Sequence, residues 1–572
     1  MLKPSRNVRR SALLILSLLS ACGASDLSSD GSERVSRYKP SGAFGAYLTG
    51  RFAAQRSDLG VAAEKLETAL TDDPGVPELA NQAFLAALLA GRPDATRLAT
   101  SLPDNPVAQL VIADHEAKAG RWDTAETQFS RLPPQGLTQV LRPLLVAWAQ
   151  QGAGRTDAAL GTLAPVIEST RFRGVYALHA AMIADLAGQP LEAARLYRVA
   201  ATEYGPLNLR LGLILASWQA RQGATGEAQR TIRDLAGTNG DLAIALQGLE
   251  ANMAAPAVRG AADGIAEAYL AMAATLRQQG SDSAQLLLRL ALDMRPDFTA
   301  AGILLADIQE SAKRPSMALA TLADVPDSDP LAPVVQLRRA SLLDELGRSD
   351  EASRLLDELA RQHPDRPEPL TLAGDILRRK NRFPDAAQAY SAAIARLGVP
   401  TRAHWPLFYE RGVALERAGQ WPQAEADFQY ALELAPDQPS VLNYLAYSWV
   451  DRGERLDQAR IMLDRALAQR PNDGAIIDSM GWLLLRQGDQ EGALSNLERA
   501  VELQPEDPVI NAHLGDALAA VGRMREAEFQ WRRALNLKPE AEDARKLTEK
   551  LAALPGASPP TQAAVPPAAI PR

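Results

Sequence analysis

The side chains able to do covalent or metal chemistry are few in this 572-residue sequence, and they stand far apart. There is one cysteine, Cys22, so the chain can form no internal disulfide and no multi-cysteine zinc site. The five histidines, His115, His179, His363, His404 and His513, are spread over about four hundred residues without the short spacing that metal ligation requires. Each is expected to be a partly exposed helix residue. Paired carboxylates such as Asp72-Asp73 stand where the chain turns, and a turn role accounts for them. No phosphate-binding loop, no Gly-x-Ser-x-Gly and no His-Glu-x-x-His occurs. No catalytic residue, metal ligand or cofactor is expected, and an enzyme is not.

What Cys22 could do follows from the residues before it. Residues 1–10 are basic, Ala12 to Leu19 are almost wholly apolar, and small residues precede the cysteine in Leu19-Ser20-Ala21-Cys22. A charged start, a short apolar core and small residues at the cut make a secretory signal, too short to span a bilayer. The run resembles the bacterial lipobox, whose cysteine is lipidated and becomes the new N-terminus. Residues 1–21 are then a lipoprotein signal peptide. Residues 22–42, rich in Ser, Asp and Gly, form a lipidated flexible tether. Gly23 stands where an aspartate would favour the inner membrane, so the expected location is the outer membrane, with the body facing the periplasm.

The rest of the chain must be built from helices. It is 47% hydrophobic but only 5% aromatic, dominated by alanine and leucine. Its formal charge of −8 becomes four units more negative once Lys3, Arg6, Arg9 and Arg10 are removed, which argues against a nucleic-acid partner. From residue 43 it repeats. The clearest copy carries Phe408, Gly412, Leu415, Gly419, Ala424, Phe428, Ala431 and Pro436, and the next three close on Pro471, Pro505 and Pro539. These spacings resemble the tetratricopeptide pattern, which implies an all-α solenoid superhelix of about fourteen helix-turn-helix repeats. Gly412, Gly481 and Gly515 are expected where the first helix approaches the second, the mid-repeat glycines in the turn between them. Residues 43–238 hold weaker repeats, 239–263 an interruption that is a hinge or a degenerate repeat, 264–404 the middle repeats and 405–539 the strongest. Residues 540–554 read as a capping helix with Glu542, Arg545, Lys546, Glu549 and Lys550 facing water, and 555–572 as a disordered Pro/Ala tail.

With no catalytic site, what remains is binding. In the resembled family the first helix of each repeat lines the concave face, which implies a groove with Tyr409, Val413, Asn443, Tyr447, Asp478, Trp482, Arg486 and Asp516. Asn443/Tyr447 and Asp478/Trp482 are i,i+4 pairs, each sharing a helix face. Aromatic residues and arginine mixed with amide and carboxylate groups suit a protein-binding hot spot, although Trp482 could instead pack on the next repeat. Trp449 and Trp531 fall on packing positions. A lysine–asparagine clamp for a terminal carboxylate is not expected, because Tyr409, Asn443 and Asp478 occupy the matching positions.

Leu442-Asn443-Tyr444-Leu445-Ala446-Tyr447-Ser448-Trp449 and Asp478-Ser479-Met480-Gly481-Trp482, together with the lipobox, resemble a proteobacterial group of periplasmic repeat lipoproteins. The resemblance is sharp over about residues 405–540. It implies an adaptor whose partners are a periplasmic carboxy-terminal processing serine protease and its cell-wall hydrolase substrates. The alternative is an outer-membrane assembly factor, pilotin-like or a peptidoglycan-synthase regulator.

Overall fold

The computed structural model describes residues 42–169, 172–204, 208–238, 240–276 and 281–554. Cys22, the signal segment, all of the expected tether but its last residue, and the Pro/Ala tail lie outside the described residues. What is described is all-α, with no strand among the described residues, as the repeat pattern implies. No described helix is long and apolar enough to cross a membrane.

The chain divides into two compact units. The first, ending at Ala90, contains helices Ala43–Gln55, Leu59–Asp72 and Pro77–Leu89. The second begins with the five-residue helix Ala95–Ala99 and continues as four helix pairs, from Pro106–Lys118 through Thr225–Thr238. A 3-10 turn, Gly240–Ala245, and a short helix, Leu246–Asn252, interrupt the pairs. Eight further pairs run from Ala261–Leu276 to Met524–Asn536, and Ala541–Ala552 closes the series.

One packing device recurs through the pairs. A glycine in the first helix lies under a large side chain sixteen residues on. A Cβ on Gly374 would come within 2.5 Å of Tyr390, on Gly412 within 2.6 Å of Phe428, on Gly481 within 2.6 Å of Leu497, and on Gly515 within 2.4 Å of Trp531. Any side chain there would push the helices apart. The alanines opposite, Ala424, Ala459, Ala493 and Ala527, are fully buried, and so are Trp449 and Trp531 nearly.

Turns between paired helices use left-handed backbone, and Gly419, Gly488 and Gly522 supply it at φ of 76, 88 and 81°. The extra residue expected near Glu454-Arg455 is absorbed by two left-handed positions, Gly453 and Arg455. The closing prolines have a partner that the sequence did not announce. Arg465, Arg499 and Arg533, each on the second helix of the following repeat, donate to the carbonyls of Pro436, Pro471 and Pro505 at 2.7, 2.8 and 2.9 Å. These charge-assisted bonds satisfy carbonyls that the proline turn leaves open.

Candidate functional site

The first helices of the strongest repeats, Pro439–Arg452, Gly474–Gln487 and Pro508–Ala520, lie side by side and share one face. At its centre the indole of Trp482 stacks on the imidazole of His513, with centroids 4.3 Å apart and planes at 13°. Tyr447, one repeat earlier, brings its ring to 6.1 Å from the same imidazole. Beneath them both carboxylate oxygens of Asp478 lie 3.0 Å from His513 Nδ1. Both Asp478 and His513 are buried. Burial pulls the His513 pKa down, but the Asp478 carboxylate, joined at longer range by Asp516 and Asp451, raises it above the ordinary histidine value. Relative to a free histidine, the carboxylate favours the imidazolium form.

Two polar atoms here have no hydrogen-bond partner. They are the indole Nε1 of Trp482, a donor, and the amide Oδ1 of Asn443, an acceptor. A buried polar atom left unpaired is costly, commonly by 1–3 kcal/mol or about that, so an orphan donor and acceptor mark a place that ligand groups can complete. Arg486, exposed at the rim, holds its guanidinium 5.9 Å from the Trp482 ring centre and donates to the Asp451 carbonyl at 3.4 Å.

The residues expected in the groove therefore separate. Asn443, Tyr447, Trp482 and Arg486 come together on the shared face, and Trp482 also packs on the next repeat through His513. Asp478 is on the same helix, yet its carboxylate is turned into His513 and is not an open groove acid. Tyr409 belongs to another cluster, half-buried among Trp405, Phe428 and Tyr444 at 6.1, 6.0 and 5.9 Å. Burial there pushes its hydroxyl pKa up to about 12. Val413 is half-buried. Asp516 accepts from the Trp531 indole at 2.9 Å and from Lys550 at 2.7 Å. That last contact half-buries Lys550, which was expected to face water; Glu542, Arg545, Lys546 and Glu549 are exposed.

The expectation that every histidine would be partly exposed is overturned at His179 and His513. Both are buried because each meets a tryptophan from the preceding repeat. Among the described residues no group of three His, Cys, Asp or Glu could hold a metal.

Comparison with known proteins fits this architecture. A tetratricopeptide-repeat sequence profile matches residues 337–398, 409–474 and 479–544. Those three stretches are tetratricopeptide repeats. The TPR repeat-containing protein PA4667 of Pseudomonas aeruginosa is 31% identical over 185 residues, covering 32% of this chain and 30% of that relative's length. Among solved structures, the APC/C Cut9–Hcn1 hetero-tetramer aligns with 88% of the chain and 95% of the matched chain, at 16% identity and a TM-score of 0.38. A tetratricopeptide repeat protein of Parabacteroides merdae aligns with 43% of the chain and 96% of its own, at 16% identity and a TM-score of 0.36.

Proposed function

We propose that this chain is a membrane-tethered adaptor that holds a partner protein against the face formed by Asn443, Tyr447, Trp482 and Arg486. The observation that carries the reading is the pair of orphan groups on that face, the Trp482 indole N–H and the Asn443 carbonyl. Tyrosine, tryptophan and arginine around them are the side chains that dominate binding energy when a partner excludes water. The test is recovery of the partner from an envelope extract on the lipid-free chain. Trp482→Ala should weaken that partner by about 2 kcal/mol, roughly thirtyfold, while helicity and melting temperature stay near wild type. Unchanged affinity, or loss of folding, would assign Trp482 to packing alone.

The lipobox and the resemblance over residues 405–540 extend the reading. Cys22 carries the lipid, the body works in the periplasm at the outer membrane, and the partner is a carboxy-terminal processing serine protease with its cell-wall hydrolase substrates. Cys22→Ser should release the protein from the membrane fraction with partner affinity intact; a serine variant that still pellets with membranes contradicts the anchor. The recovered partner should include a serine protease whose proteolysis quickens in the presence of the chain. Recovery without any change of rate removes the adaptor role and leaves a scaffold.

A further inference from the structure

The second unit contains a tryptophan–histidine contact at the positions of Trp482 and His513 twice. Trp148 and Trp482 each stand six residues before the turn glycine of their repeat, Gly154 and Gly488; His179 and His513 each stand nine before theirs, Gly188 and Gly522. In both places the histidine follows the tryptophan by 31 residues, on the first helix of the next repeat. The repeat before adds a third matching position, six before its glycine: Asp114 in the first set, Tyr447 in the second. Asp114–Trp148–His179 and Tyr447–Trp482–His513 are thus one three-residue site at equivalent positions in two sets of repeats.

The earlier site is occupied, and its occupant belongs to the chain. Helix Ala261–Leu276 packs against Gly136–Gly152 and Arg173–Leu186. Every residue from Asp263 to Ala273 is buried, so three turns of helix have no solvent face. Gly264 lies on the Trp148 ring, where a Cβ would come within 2.2 Å. Five residues on, the Tyr269 hydroxyl donates to the Asp114 carboxylate, 2.9 Å from each oxygen. The Trp148 indole donates to His179 Nδ1 at 2.9 Å, and burial pushes the His179 pKa down to about 3, so that imidazole is neutral. Arg210 closes the side by pairing with Glu267 at 2.8 Å.

The later site differs in ring geometry, since Trp148 meets His179 edge-on at 82° whereas Trp482 stacks on His513 at 13°, and in exposure. Trp482, Tyr447 and Asn443 remain half-exposed, and the Trp482 indole lacks the acceptor that His179 gives Trp148. The terminal helix borders this face, with Lys550 donating to Asp516 at 2.7 Å and the Asp543 charge near enough to Tyr447 to help raise its hydroxyl pKa. Its buried residue, Leu547, packs with Leu514, Leu518 and Trp531.

We propose that the Tyr447–Trp482–His513 face binds an α-helix of the partner in the way that the Asp114–Trp148–His179 face holds Ala261–Leu276. The bound helix sets a glycine on the Trp482 ring, since by analogy with Gly264 any Cβ there collides with the indole. Five residues on it presents a carboxylate, because the hydrogen-bond roles are exchanged: the phenol now belongs to the protein, at Tyr447, and the acid to the ligand. The inference rests on the proposed function, since it names the kind of segment which that face takes.

The probe is a synthetic peptide of residues 260–276 with Tyr269→Glu, titrated into the full lipid-free chain, whose own helix already fills the earlier site. Saturable binding is expected, tenfold or more weaker for the peptide with Gly264→Leu and for the chain with Trp482→Ala. The peptide change leaves the protein untouched, so no folding defect can imitate the result. No binding, or equal binding of the Gly264→Leu peptide or of a helix-breaking proline version, overturns the helix proposal. If the natural partner still protects Trp482 while the peptide fails, the proposed function stands and only the helical ligand is wrong. If the partner leaves that face untouched, both fall.

Discussion

Asp478→Ala is expected to destabilise the C-terminal repeats by about 3 kcal/mol at pH 6, because it strands a buried imidazolium without its counter-charge. The carboxylate lies 3.0 Å from His513 Nδ1, both residues are buried, and the indole of Trp482 covers the ring. The pair also imposes a pH dependence. His513 titrates higher in the folded protein than in the unfolded chain, so the pairing stabilises fully below the unfolded histidine pKa of about 6.5. That stabilisation is lost as pH rises through the higher folded value. Urea unfolding of the wild type, followed at the C-terminal repeats, should therefore give a lower midpoint at pH 9 than at pH 6. Asp478→Asn should flatten that slope. A wild-type midpoint that is level or rising over this range would show that His513 is neutral and that the pair is an ordinary hydrogen bond.

Phe428→Ala should cost more still, about 3–5 kcal/mol. Phe428 is fully buried, sits over Gly412 where no side chain can fill the space, and meets Tyr444 and Tyr409 at 5.2 and 6.0 Å. Truncation opens a cavity that a backbone glycine cannot close, and aromatic contacts are lost with it. In a stacked array each repeat leans on its neighbours, so the damage should spread from Trp405–Arg417 and Trp421–Leu434 into Pro439–Arg452. Hydrogen exchange by mass spectrometry should show those three helices losing protection first. A loss below about 1 kcal/mol would mean that Phe428 is not the wedge that the glycine implies.

Features tied to backbone geometry were legible in the sequence. A glycine that must be left-handed or must pass under a ring leaves a residue type that nothing else can supply, so Gly412, Gly481, Gly488 and Gly515 could be placed from their spacing alone. Buried alanines at fixed intervals were legible for the same reason. The Asp478–His513 pair was not, because each residue looks like an ordinary polar helix position until successive first helices are set side by side. The signal lies in the alignment of residues one repeat apart, to which metal-ligand spacing is blind. The Ala261–Leu276 helix was hidden differently. Its start carries the apolar small residues of any repeat, and only Asp263 and Glu267, buried and paired with Arg259 and Arg210, betray a helix with no wet face. The arginines on the proline carbonyls were hidden because arginine on an exposed helix ordinarily needs no explanation.

The claim on which the rest depends is that partners are held by the shared face of the first helices. Hydrogen exchange of the full chain, alone and saturated with the partner recovered from the envelope, tests it most directly. Slowed exchange is expected in Pro439–Arg452, Gly474–Gln487 and Pro508–Ala520, centred on Tyr447, Trp482 and His513. Slowing confined to the second helices, Leu456–Gln469 and Gln490–Leu503, with the first helices unchanged, would contradict it.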